Sequence, residues 1–141
     1  MVELILMESN SELAKNSRIY IAGHRGLVGS ALWRFFVSQG FTNLLGHSSS
    51  EVDLRDQTAT FKAISDAKPD VLIIAAAKVG GIVANSTYPV EFLNENLRIQ
   101  TNLFEAAHAI QVKKLLFLGS SCIYPKFAPQ DRKSTRLNSS H

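Results

Sequence analysis

The sequence predicts an α/β fold built on a doubly wound parallel sheet. Three observations carry that prediction. Short β-rich runs alternate with stretches of helical periodicity. The run Asp70 to Ala77 (DVLIIAAA) is nearly all apolar, as a strand covered on both faces must be. The first strand gives way to a glycine loop that opens a helix.

Arg18 to Ala22 (RIYIA) is the first strand. After the loop, Leu27, Ala31, Leu32, Phe35 and Phe36 fall on one helical face, with Arg34, Ser38 and Gln39 opposite. Gly40 is placed to end that helix in a left-handed conformation. A short strand is expected at Asn43 to Leu45, and a second minor one around Val52. Thr58 to Ala67 has helical spacing through Phe61 and Ile64, and Pro69 stops it. Tyr88 to Ile110 reads as a long helix with Pro89 in its first turn. Its inward face is predicted as Phe92, Leu93, Asn96, Leu97, Ile99, Leu103, Phe104 and Ala107. A last strand, Lys114 to Leu118, ends at Gly119, giving a Rossmann-type sheet of about five strands joined by right-handed crossovers.

Hydrophobic residues make up 45% of the 141-residue chain and charged ones 19%, an ordinary globular composition. The formal net charge is +3, most of it from Arg132, Lys133 and Arg136 near the carboxyl end. Basic residues are otherwise scattered, so no nucleic-acid footprint is present. The single cysteine, Cys122, excludes an intrachain disulfide and fits a reducing compartment. Residues 1 to 17 carry neither a basic signal start nor an apolar run long enough to span a membrane. The expectation is a cytoplasmic protein with a disordered leader over 1 to 17 and one domain over 18 to 130.

Three predicted strand ends carry small or polar clusters: GHRGLVG at Gly23 to Gly29, AAAKVGGIVAN from Ala75, and GSSCIYP from Gly119. In an open parallel sheet, ligands bind outside the carboxyl ends of the strands, so these segments should meet in one crevice. Gly23, His24, Arg25, Gly26, Leu27, Val28 and Gly29 form a GxxGxxG loop between strand and helix. Such a loop turns tightly and lets a pyrophosphate approach N–H groups at a positive helix end. The same glycines could serve packing alone. Arg25 could contact phosphate or point into water. Asp53 lies where the adenosine half of a nucleotide would extend, or else caps the next helix. Cys122 could be an acid/base thiol or a buried small hydrophobe. His24, His47 and His108 show no metal-binding spacing with Cys122, so no metal site is expected.

GHRGLVGSA, AAAKVGGIVANSTYPVEF and KLLFLGSSCIYPK together resemble the GDP-L-fucose synthase family of extended short-chain dehydrogenase/reductases, over about Arg18 to Gln130. The resemblance implies epimerisation of GDP-4-keto-6-deoxy-D-mannose at C3 and C5 and reduction of its C4 ketone by NADPH. It places the cofactor pyrophosphate on Gly23 to Gly29. Ala75, Ala76, Asn96, Leu118, Gly119 and Ser121 would line the cofactor cleft. Ser120 would bind both the cofactor region and the keto oxygen, and Cys122 would move protons. It also implies a homodimer. Other nucleotide-sugar epimerases or dehydratases, or a nucleotide-binding module without catalysis, are the alternatives.

The sequence departs from the family in two respects. The family's basic residue after the second strand, which reads the 2′-phosphate of NADP, is replaced by Leu45-Gly46-His47-Ser48-Ser49-Ser50, which leaves NAD open as the cofactor. No Tyr-x-x-x-Lys pair occurs, so the chain is expected to be inactive alone and prone to aggregate through an uncovered sheet edge. Asp131 to His141 (DRKSTRLNSSH) departs from the family and back-translates codon for codon to a common sequencing-adapter string. These residues are expected to be foreign to a protein that continues after Gln130; a genuine polar tail is the alternative.

Overall fold

The computed structural model describes residues 13 to 119. In chain order the elements are β1 (Ile19–Ala22), α1 (Leu27–Ser38), β2 (Leu44–Leu45), α2 (Gln57–Ala67), β3 (Val71–Ile74), α3 (Ile82–Thr87), α4 (Pro89–Ala109) and β4 (Lys114–Phe117). The strands form one parallel sheet in the order β2-β1-β3-β4. Ile19 to Ala22 of β1 stand in register with Val71 to Ile74 of β3, and these in turn with Lys114 to Phe117 of β4.

Alternation along the two central strands builds a core on each face, because successive side chains of a strand point to opposite sides. Tyr20, Ala22, Leu72 and Ile74 pack against Ile64 and Ala67 of α2 and Ile99, Leu103, Ala106 and Ala107 of α4. Ile19, Ile21, Val71 and Ile73 pack against Leu32, Trp33 and Phe36 of α1, with Phe41, Leu44 and Leu116 alongside. Asp70 ties three segments together at the amino ends of the strands. Its carboxylate accepts from the Arg18 backbone N–H at 2.9 Å and from Lys113 Nζ at 2.7 Å.

The helix ends follow local chemistry. Gly40 adopts φ +80°, its N–H donates to Val37 O at 3.0 Å, and the Phe41 N–H reaches Phe36 O at 3.0 Å, the paired bonds of a Schellman stop. Pro89 occupies the first turn of α4. Asp56 caps α2 by accepting from the Ala59 N–H at 2.7 Å.

Several expectations are corrected. No strand forms around Val52: the Ser48 carbonyl accepts from the N–H groups of both Glu51 and Val52, closing a turn that leaves nothing for a ladder. The sheet among the described residues therefore has four strands, where about five were expected. The inward face of α1 is Gly29, Leu32, Trp33 and Phe36, while Leu27 and Phe35 point outward. Phe61 of α2 is also exposed. On α4, the buried residues are Ile99, Asn102, Leu103, Ala106 and Ala107, and Leu93, Leu97 and Phe104 face out. α3 lies between β3 and α4, where the sequence pattern predicts no element. Of the leader expected over 1 to 17, residues 13 to 17 are described. Leu13 packs on the α1 side of the sheet, the Thr42 N–H donates to Lys15 O at 3.2 Å, and Asn43 Nδ2 donates to Asn16 O at 2.7 Å.

Candidate functional site

The carboxyl ends of β1 and β3 open into a cleft of about 410 Å³. Its walls come from three segments: Gly23 and Gly26 after β1, His47, Ser49 and Val52 to Arg55 after β2, and Ala75 to Lys78 after β3, with Glu95 and Ile99 of α4 also lining it. Sequence pattern brought the first and third segments together, as predicted for strand ends in a parallel sheet.

The glycine loop is required by contact. Gly23 has φ +81°, and a Cβ there would meet Ala76 backbone atoms at 2.8 Å. At Gly29 a Cβ would meet the Gly23 carbonyl oxygen at 2.1 Å, so α1 can approach the loop only with glycine at that position. The Gly26 N–H closes the turn on Gly23 O at 2.9 Å, and the Ser30 N–H makes the first helical bond to Gly26 O at 2.9 Å. The N–H groups of Leu27, Val28 and Gly29 precede that first bond and, in a helix, have no intrahelical acceptor. No acidic residue lies in the first turn of α1 and no side chain caps it. The helix end thus keeps its donors and its partial positive charge for an anion. Leu27 and Val28 have exposed side chains, so their part in binding rests on the backbone.

His24 and Arg25 turn away from the cleft and line a shallow depression with Ser30, Trp33 and Arg34. The His24 ring packs against Trp33 with centroids 5.4 Å apart, under Gly46, where a Cβ would come within 2.6 Å of its Nδ1. Burial, then the adjacent Arg25 charge, holds the His24 imidazole below its usual pKa and so neutral near pH 7.

Behind β2, Tyr20 Oη lies 2.9 Å from His47 Nδ1 and fixes that ring at the cleft wall. Burial pushes the Tyr20 hydroxyl up to about 12. An unfolded tyrosine loses its proton near pH 10, so between about 10 and 12 the unfolded state holds fewer protons and stability falls as pH rises. That loss is expected to reach about 2 kcal/mol by pH 12. Urea unfolding of Tyr20→Phe across this window should lack that component; a slope equal to the parent's would refute it. The next turn is locked by Ser48, whose hydroxyl and N–H donate to Glu51 Oε2 at 2.6 and 2.7 Å, holding the Glu51 carboxyl below its usual range.

Asp53 lines the cleft but does not cap α2; Asp56 does. Asp53 Oδ1 accepts from the backbone N–H and Nε of Arg55, both at 2.9 Å, and Oδ2 accepts from Nη2 at 2.8 Å. These bonds lower the Asp53 pKa. Arg55 Nη1 continues to Glu95 Oε2 at 3.0 Å, and Lys78 Nζ donates to Glu95 Oε1 at 2.5 Å. Neither Arg55 nor Glu95 was singled out from the sequence. They lie 40 residues apart and only the fold pairs them.

Ala75 and Ala76 line the cleft, and the Ala75 N–H donates to Ala22 O at 2.9 Å. Asn96 spends its amide on the Lys78 peptide, accepting from its N–H at 2.7 Å and donating to its carbonyl at 3.0 Å. It pins the loop after β3 to α4. Leu118 continues the β4 pairing through its N–H to Ile74 O at 3.2 Å, and Gly119 follows. Ser120, Ser121 and Cys122 lie outside the described residues. Among the described residues no cluster of three His, Cys, Asp or Glu could hold a metal ion, and no helix is long and apolar enough to cross a membrane. Glycines that admit no Cβ, helix-start donors and a polar wall at the β2 side fit the adenosine diphosphate half of a dinucleotide.

The model of the NAD dependent epimerase/dehydratase family matches residues 19–140. GDP-L-fucose synthase 1 of Arabidopsis thaliana is 55% identical over 92% of this chain and 40% of its own length. GDP-L-fucose synthase of Escherichia coli (strain K12) is 48% identical over 85% of the chain and 37% of its own length. Among solved structures, MlghC, a GDP-mannoheptose C4 reductase from Campylobacter jejuni with NADP bound, aligns with a TM-score of 0.82 at 37% identity. That alignment covers 91% of this chain and 40% of that one. The chain therefore spans about 40% of the length of the relatives it matches.

Proposed function

Because this chain belongs to the NAD dependent epimerase/dehydratase family, we propose that it is the cofactor-binding part of a GDP-L-fucose synthase. The full-length protein epimerises GDP-4-keto-6-deoxy-D-mannose at C3 and C5 and reduces C4 with NADPH. The observation that carries the reading is the cleft whose Gly23 and Gly29 backbones leave no room for a Cβ, at the strand ends where the motif AAAKVGG also arrives. Sequence identity to GDP-L-fucose synthases of 55% and 48% supports the substrate class.

Placement supports the roles of the described residues, and those of Ser120 and Cys122 rest on the resemblance to the family. α1 offers N–H donors and its positive end to the pyrophosphate. Ala75 and Ala76 provide a smooth wall for the nucleoside. When bound, the nicotinamide supplies the hydride for the ketone. Ser120 holds the keto oxygen as charge develops on it, and Cys122 moves a proton at the carbon next to that ketone. The Tyr-x-x-x-Lys pair of the family would come from sequence after Gln130. A homodimer is proposed as well, supported by Val90, Leu93, Leu97 and Phe104, an exposed apolar stripe at helical spacing along α4.

The test is a genomic read across codon 130, followed by assay of the full-length product. GDP-L-fucose should form from the 4-keto sugar with loss of NADPH absorbance, from a protein that light scattering sizes as a dimer. Turnover of a GDP-heptose 4-ketone but not of the 6-deoxy sugar would move the reading to another GDP-sugar reductase. A gene that itself encodes the tail and stops would end it.

A further inference from the structure

We propose that Arg55 is a specificity-determining residue, the cation with which this chain accepts a 2′-phosphorylated adenosine. The inference rests on the reading of the cleft as a dinucleotide site and adds to it a residue outside the loop that directly follows β2. That loop, Gly46 to Ser50, contains no arginine or lysine, and its one histidine, His47, is held by Tyr20. Asp53 lines the same cleft, and its bare carboxylate would repel a ribose phosphate bound nearby. Arg55 removes that repulsion by engaging both oxygens of Asp53 in a fork, with side-chain N–H bonds of 2.9 and 2.8 Å.

Arg55 is not exhausted by this. Three of its five side-chain N–H groups are spent on Asp53 and Glu95, which leaves two without a partner among the described residues. The side chain is 48% exposed at the cleft rim, so a ligand phosphate can reach it. Glu95 opposes the effect. It binds Arg55 and Lys78 together, so the four side chains Asp53, Arg55, Glu95 and Lys78 form a neutral chain of alternating sign across the cleft. Removing either partner of the Arg55 and Glu95 pair should therefore move phosphate affinity in opposite directions.

The test is calorimetric titration of the full-length protein with adenosine 2′,5′-bisphosphate and with 5′-AMP, comparing the ratio of the two affinities. Arg55→Leu is expected to weaken the bisphosphate about tenfold, one charge-assisted contact at a half-exposed site, and to leave 5′-AMP within about twofold. Glu95→Gln is expected to tighten the bisphosphate about threefold. If Arg55→Leu does not fold, Glu95→Gln alone decides, since its ratio must rise. An unchanged ratio in the variants, whether both ligands weaken together or neither does, overturns the role of Arg55 while leaving the cleft a nucleotide site. A parent protein that binds neither probe overturns both readings.

Discussion

Gly29→Ala is expected to destabilise the protein by about 3 kcal/mol or more and to abolish nucleotide binding. The added Cβ would lie 2.1 Å from the Gly23 carbonyl oxygen and 2.8 Å from the His24 Cα, contacts with backbone that no rotamer change can relieve. Either α1 moves off the sheet, uncovering Leu32, Trp33 and Phe36, or the loop between β1 and α1 opens and its donors lose their aim. Gly81→Ala is the control, because a Cβ there meets nothing within 4 Å, and as a change at the N-cap of α3 it should cost no more than about 1 kcal/mol. Denaturant midpoints of the two variants, with dinucleotide titration, decide the matter. A Gly29→Ala protein that unfolds with the parent and binds the cofactor would refute the close packing of loop and helix.

In the full-length protein, Cys122→Ser is expected to cut exchange of solvent deuterium into the sugar at C3 and C5 by about 100-fold or more, with cofactor affinity unchanged. A serine hydroxyl is far too weak an acid to shuttle protons near neutral pH, whereas a thiol in a polar site can approach that range. Mass spectrometry of the sugar nucleotide, incubated in heavy water without NADPH, isolates proton transfer from reduction. Unchanged exchange would remove Cys122 from the acid/base role and leave it a small apolar residue after β4.

Which parts of the fold were legible depends on how local their causes are. β3 was plain because a strand covered on both faces must be apolar throughout, and Val71 to Ile74 are buried. Gly40 was legible because a left-handed stop needs two hydrogen bonds within one turn of its own helix. The faces of α1 and α4 were misjudged because both helices are apolar on more than one side. Leu27, Phe35, Leu93 and Leu97 satisfy helical spacing as well as the residues that are buried. The expected strand at Val52 failed because Ser48 captures the backbone of the next turn, a competition that apolar patterning does not register.

At the site, the sequence by itself determined the glycine loop, the convergence of strand-end segments and the family, since these rest on residue type and order along the chain. Only the tertiary structure decided how the side chains pair. It gave Asp53 to Arg55 instead of a helix cap, spent Asn96 on the Lys78 peptide, set His47 against Tyr20, and joined Arg55 to Glu95 across 40 residues. Hydrogen bonds and ion pairs act over a few ångströms. Which partners stand within that reach is settled by how β1, β3 and α4 pack, and no spacing in the sequence encodes that directly.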